Sequence, residues 1–215
     1  MADNYLEKRY EEVFGRGQQS RPSFSSREHQ GLDALLLKNR SCRGYDKSYV
    51  VHPRQMDALI AVNCKLASSV NLQRLRFRSV VKGPQADIVN SHIRMGRSLP
   101  QLNLPFPGTE PEAFIIVCAT CEENPGIDID LGISLQSMLL KAVEMGLRGL
   151  IIRNFDADEL QKELSLPLRP LAVLAIGKGA EEIKIVPAKE GDDLKYYRKG
   201  GVHYVPKLSA EDLTI

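Results

Sequence analysis

The stretch "GISLQSMLLKAVEMG", residues 132–146, limits the possible folds more than any other. It has helical character, and Ile133, Leu135, Met138, Leu139, Ala142 and Val143 make it apolar nearly all round. A helix with no polar side to offer water belongs at the centre of a molecule or at a subunit interface. Gly146 ends it. Short apolar runs surround it: "AFIIVCA" before it, then "GLIIRNF" and "PLAVLAIG" after it, each read as a buried strand. "IKIV" is a candidate fourth strand. Strands scattered between helices predict an α+β or three-layer architecture.

The rest of the chain fits around this centre. Leu32, Leu35 and Leu36 share the face of a helix running to Asn39. "SYVVHP" is extended, and Pro53 opens a helix carrying Met56, Leu59, Ile60 and Ala67. "LRFRSVV" alternates like a strand, and Pro84 opens a helix through Ile88, Val89 and Ile93. Residues 96–111 form a proline-rich loop long enough to act as a lid. Asp156 and Glu159 have capping-box spacing. "GVHYVP" near the end reads as a strand with no local partner, the kind that pairs with another chain. Residues 1–30 are an N-terminal arm and linker, with a short amphipathic helix over 3–14, and 31–215 form the domain.

Composition removes several classes of function. A formal charge of +2 provides no bulk field for nucleic acid or membrane. No apolar run reaches the length of a membrane span, and the N-terminus lacks a signal-peptide core. The four cysteines follow no disulfide framework, so a reducing cytoplasm is expected. No phosphate-loop pattern occurs, and "GKGAEE" has Glu182 where a dinucleotide fingerprint needs its last glycine. Cys118 and Cys121 lack two further ligands for zinc and are expected to be structural. Asp128 and Asp130 are expected to cap the central helix, with a hydrolytic carboxylate pair as the alternative. His203 is expected to be an ordinary half-buried residue, and no metal site is expected.

One cluster has chemistry of its own. In "KNRSCRGY", Arg40 and Arg43 flank Ser41 just after a helix. The arginines are either solvated surface or a grip on an anion. A hydroxyl between two planar guanidinium forks suits a phosphomonoester held in a cleft.

Four ordered stretches resemble the FMN-dependent nitroreductase family: "NRSCRGY" (39–45), "ASSVNLQ" (67–73), "IDIDLGISLQSMLLKAVEMGLRG" (127–149) and "LSLPLRPLAVLAIGKGAEE" (164–182). The ending "VHYVPK" is similar to one branch of that family. The resemblance implies a three-layer α/β/α fold, a central mixed sheet flanked by helices, and a homodimer that exchanges its C-terminal strand. It implies two FMN sites at the interface. Arg40 and Ser41 would hold the phosphate, joined by Lys207, and Arg43 would lie towards the N1 and C2-carbonyl edge. Ser68, Ser69 and Asn71 would reach the flavin from the partner chain, and the backbone of Ile151, Ile152, Arg153 and Asn154 would line the ring near N5. No catalytic side chain is implied. NADH or NADPH would donate electrons in ping-pong turnover to a nitro compound, a quinone or another small acceptor.

The chain departs from the family pattern at Asn39, at Arg74 and Leu75, at Arg153 and Asn154, and at Leu208. These departures motivate an alternative, a flavin-binding carrier or sensor without turnover. A third reading keeps the fold with another reaction, such as reductive dehalogenation or flavin breakdown.

Overall fold

A computed structural model of the chain describes residues 31–96 and 99–215. The expected arm over 1–30 lies outside the described residues. In chain order the elements are α1 (Leu32–Lys38), α2 (Pro53–Ile60), β1 (Leu75–Val80), α3 (Pro84–His92), β2 (Ala113–Ala119), α4 (Pro125–Glu144), β3 (Arg148–Ile152), α5 (Ala157–Glu163), β4 (Pro170–Gly177), β5 (Ile183–Ala188), β6 (Tyr197–Lys199) and β7 (Val202–Leu208). Short 3₁₀ turns cover Ala61–Lys65, Ser69–Asn71 and Pro100–Leu102.

β1, β2, β4 and β3 form one sheet in that order, antiparallel throughout. A parallel bridge from Ser41 to Gly149 adds a mixed edge beside β3. Every residue of β2 is buried, because both faces of the sheet are covered. Ala113, Ile115 and Val117 join Met56 and Leu59 of α2 and Leu131, Leu135, Met138 and Ala142 of α4. Phe114, Ile116 and Cys118 join Ala86 and Val89 of α3 and Leu160 of α5 on the other side. The pleat alternates side chains between faces, so an apolar run without alternation marks the middle of three layers. This is the expected α/β/α arrangement.

Helix ends refine the sequence reading. α4 begins at Pro125, and Asn124 is its cap, accepting from the Gly126 and Ile127 amides through Oδ1. Asp128 and Asp130 are therefore not caps: they lie inside the helix. Asp156 caps α5 by accepting from the Glu159 N–H. α2 ends at Ile60, so Ala67 falls outside it. Gly146 follows α4 at φ +78°, a conformation that an L side chain resists.

The central helix is buried on one side only. Ile129 is 64% exposed and Ile133 is 37% exposed in a single chain. α1 has no buried residue at all, and Leu32, Leu36 and Leu37 face outward. Among the described residues, nothing closes the apolar face read from sequence in α1.

The C-terminal strand corrects an expectation. β7 does have local partners: it runs parallel to β5 and antiparallel to β6 in a second, three-stranded sheet. Both of its edges are paired within its own chain, which corrects the reading of a strand without a local partner. The sequence reading missed β6, a three-residue strand too short for a periodic signal.

Gly149 permits the sheet to meet α4 closely. A Cβ there would lie 2.5 Å from Leu139 Cδ2 and 2.6 Å from the Ala175 carbonyl oxygen. Since the backbone oxygen cannot turn away, Gly149→Ala is expected to cost about 1–3 kcal/mol. A thermal melt checks this: an unchanged midpoint would mean that β3 and α4 have room to separate.

Candidate functional site

The chain leaves α1 at Asn39, and the next four residues run alongside β3. The Cys42 amide donates to the Gly149 carbonyl at 3.0 Å, completing the parallel bridge at Ser41. Asn39 Nδ2 donates to Gln136 Oε1 of α4 at 3.3 Å. These two anchors place Arg40 and Ser41 at the rim between α4 and the β3 edge.

Arg40 is half-buried, and its Nη2 donates to the Leu36 carbonyl at 2.6 Å. Its Nε is buried with no partner, and desolvation lowers the pKa of the guanidinium. A cation held this way, beside the exposed Ser41, has donors left for an anion.

The β3 edge adds backbone groups. Gly149 turns its carbonyl away from β4, towards Cys42. Alternation then turns the N–H and C=O of Ile151 to the same open edge, and β3 ends one residue later, just before Arg153. The Ile152 side chain is buried in the core, and Ile151 is exposed. Asn154 gives its carbonyl to the Arg94 amide at 2.9 Å.

Two cations expected at the redox end are already engaged. Arg153 is ion-paired with Glu123, and its Nη1 lies 3.8 Å from Asp128. Arg43 turns to the second sheet, where its guanidinium lies 4.8 Å from the centre of the Tyr196 ring. Its Nε is buried and unpartnered.

The segment 68–71 sits elsewhere. The Ser69 amide donates to Asp130 Oδ1 at 2.7 Å. Asp128 and Asp130 are separated by about 200° around the helix. The loop with Ser68, Ser69 and Asn71 therefore lies on the opposite side of α4 from Arg153. Gln136 is about 80° from Asp128, on the side of Arg40 and β3. One chain brings Arg40, Ser41 and Ile151–Asn154 together, and it keeps the 68–71 loop apart from them.

Lys207 stands apart as well. It is exposed near the end of β7 and opposite Pro187, about 13 Å along the strand from His203. Among the described residues no hydrogen bond or ion pair joins it to Arg40 or Ser41.

The sequence reading missed the cluster that fixes Arg43. Glu181 Oε2 accepts from the Arg43 amide at 2.5 Å, and Oε1 accepts from Arg198 Nη2 at 2.5 Å. Arg198 lies over Phe106 of the expected lid loop, 5.1 Å from the ring centre. His203 is not half-buried: it is 2% exposed, 5.0 Å from the Tyr196 ring, with Nδ1 unpartnered. Burial, then Arg43, lowers its pKa. The loop over 96–111 is tied at this end, since the Tyr45 amide donates to the Thr109 carbonyl at 2.9 Å.

All four cysteines are free. Burial pushes Cys42 up to about 12 and Cys118 up to about 11. A disulfide reagent at neutral pH is expected to label exposed Cys64 quickly, and Cys42 and Cys118 only after unfolding. Fast labelling of Cys42 in native protein would show that the 41–45 segment opens.

Comparison with known proteins decides the family. The family model described as "Nitroreductase family" matches residues 36–178. The chain belongs to the nitroreductase family. A search of curated proteins returned no match. Among solved structures, a nitroreductase family protein from Clostridium difficile is 23% identical, with TM-score 0.57 over 71% of this chain and 86% of that one. An FMN and NADPH-dependent nitroreductase variant from Sphigopyxis sp. is 16% identical, with TM-score 0.60 over 70% of this chain and 89% of that one. An FMN-dependent nitroreductase, also from Clostridium difficile, is 22% identical, with TM-score 0.56 over 69% and 87%. At these identities the structures speak to fold, which agrees with the family match.

Proposed function

We propose that the protein is an FMN-dependent oxidoreductase, active as a homodimer, that passes electrons from NADH or NADPH to a small acceptor such as a nitro compound or a quinone. The observation that carries this reading is the Ser41–Gly149 bridge. It sets a half-buried arginine with an unpartnered Nε, and a free hydroxyl, against the open edge of β3. That edge fits an elongated cofactor with an anion at one end and a hydrogen-bonding ring at the other.

Arg40 and Ser41 would hold the phosphate. The Ile151 and Arg153 backbone groups would meet the ring edge, and Ile151 would give it an apolar contact. When bound, FMN would supply the two-electron chemistry between a nicotinamide and the acceptor. The chain's own part is to orient the ring, exclude water and present donors where charge develops.

A second copy completes the site in this reading. The 68–71 loop lies across α4 from Arg40, and the exposed apolar side chains of α1 and α4 offer a surface for another α4. Lys207 would act from that second copy. With four free cysteines and no described helix long and apolar enough to cross a membrane, the reading places the enzyme in the cytoplasm.

The experiment is an absorbance spectrum of purified protein, before and after NADPH without oxygen, then with a nitroaromatic. Bleaching followed by recovery is expected. Absence of flavin, together with no binding of added FMN, would refute the reading. The carrier or sensor alternative rests on Arg153 and Arg43 being engaged elsewhere. Flavin binding without bleaching would favour it.

A further inference from the structure

The segment Ser68–Gln73 has an unusual backbone. Val70, Asn71 and Gln73 have φ of 51°, 54° and 47°. A β-branched residue in the left-handed region is strained, and such strain persists only when surrounding structure enforces it. Val70 gains no burial in return, being 86% exposed.

Packing reaches only part of the loop: Ser69 lies against Gly126 at the start of α4, whereas Val70 stands in solvent. An open cleft of about 220 Å³ lies beside the segment, lined by Ser68, Gln73, Phe77, Asn63, Asp130 and Ser134. Hydrogen bonds hold the shape. Within the loop, the Gln73 amide donates to Ser68 Oγ at 3.2 Å and the Asn71 amide to the Ser68 carbonyl at 2.9 Å. Among the described residues, one hydrogen bond ties the loop to the body of the protein: the Ser69 amide to Asp130 Oδ1, at 2.7 Å. Asp130 is a carboxylate on the buried side of α4, 5% exposed, and capping does not account for it. On the other side of the same cleft, the Ser134 hydroxyl is held by Asn63 Oδ1 at 2.5 Å, so Ser134 is already engaged.

We infer that Asp130 is a positioning residue: it latches the strained Ser68–Gln73 loop through the Ser69 amide and so aims Ser68, Ser69 and Asn71 at the flavin of a second copy. This rests on the FMN reading above. The latch explains why a carboxylate stands on the otherwise largely apolar buried side of α4. A charge-assisted bond to a backbone amide is about twice as strong as a neutral one, which suits it to holding a left-handed turn.

The test uses full-length protein. Hydrogen exchange at the Ser69 amide reports the latch with or without cofactor, and FMN titration reports its consequence. Wild type is expected to protect that amide. Asp130→Ala should lose the protection while α4 stays protected, and should weaken FMN binding about tenfold. Asp130→Asn keeps an acceptor at the same atom and should stay within about threefold of wild type. Should Asp130→Ala fail to fold, Ser69→Pro removes the donor without touching α4, at the first position of a turn that tolerates proline. It should bind FMN more weakly than Ser69→Ala, which keeps the N–H.

Unchanged FMN affinity in folded Asp130→Ala would overturn the inference, as would an unprotected Ser69 amide in wild type. If wild type binds no FMN, the functional reading fails. Protection lost in Asp130→Ala and kept in Asp130→Asn would then still carry the latch.

Discussion

Glu181→Gln is expected to lower stability by about 3–5 kcal/mol, the largest loss from any single polar substitution argued from this structure. Glu181 accepts from the Arg43 backbone and from the Arg198 guanidinium, and its side chain is only 7% exposed. Arg198 is 15% exposed and stacks on Phe106. Removing the carboxylate leaves a desolvated cation without its partner, and that penalty exceeds the modest net gain of an intact pair. Urea unfolding measures it. Glu182→Gln is the control: Glu182 pairs with Lys184 at 2.8 Å on the surface, and its loss should cost less than about 1 kcal/mol. Equal effects from the two substitutions would show that the Glu181 cluster is hydrated.

The same cluster sets a pH dependence. Burial holds the folded-state pKa of His203 below its ordinary value of 6.5. Between the two values the unfolded chain binds the extra proton and the folded one does not. Stability contributed at neutral pH is therefore lost as pH falls through 6.5 and below. His203→Gln should flatten that decline.

Arg40→Ala is expected to weaken FMN binding about a hundredfold or more while leaving the melting temperature of the cofactor-free protein nearly unchanged. A charge-assisted grip on phosphate, once lost, costs about 2–5 kcal/mol of binding. Among the described residues, the Arg40 side chain donates a hydrogen bond only to the Leu36 carbonyl of an exposed helix. Fold and affinity should thus separate at this position. They should not separate at Arg43, whose backbone and ring contacts belong to the Glu181 cluster. Isothermal titration with FMN and a melt of each cofactor-free variant distinguish these outcomes. Wild-type affinity in Arg40→Ala would remove the phosphate from this end of β3.

Local patterns made the layered core legible. "AFIIVCA" lacks alternation because helices cover both its faces, and the side of α4 that meets the sheet is apolar. The rest of its surface is open in one chain, a division that periodicity alone does not separate. Arg40 and Ser41 were legible as a motif. Their meeting with Gly149 was not, because it joins residues 108 positions apart across α4. Glu181 gave no signal, since its partner Arg43 is 138 positions away and "GKGAEE" looks like any polar turn. Asp130 was misread as a cap because a carboxylate near a helix start usually serves there. The pairing of β7 was missed because β5 and β6 carry short, weakly apolar sequences.

The account turns on a cofactor site divided between two copies of the chain, and complementation tests that division. Arg40→Ala damages the phosphate end, and Ser69→Pro damages the loop across α4. Each variant alone should bind FMN poorly. Unfolded together and refolded as a mixture, they should form mixed dimers in which one site is intact, and tight FMN binding should return at about a quarter of the wild-type number of sites, as random pairing in a symmetric dimer requires. No recovery of tight binding in mixtures shown to contain mixed dimers, or full wild-type binding by a monomer, would contradict the account.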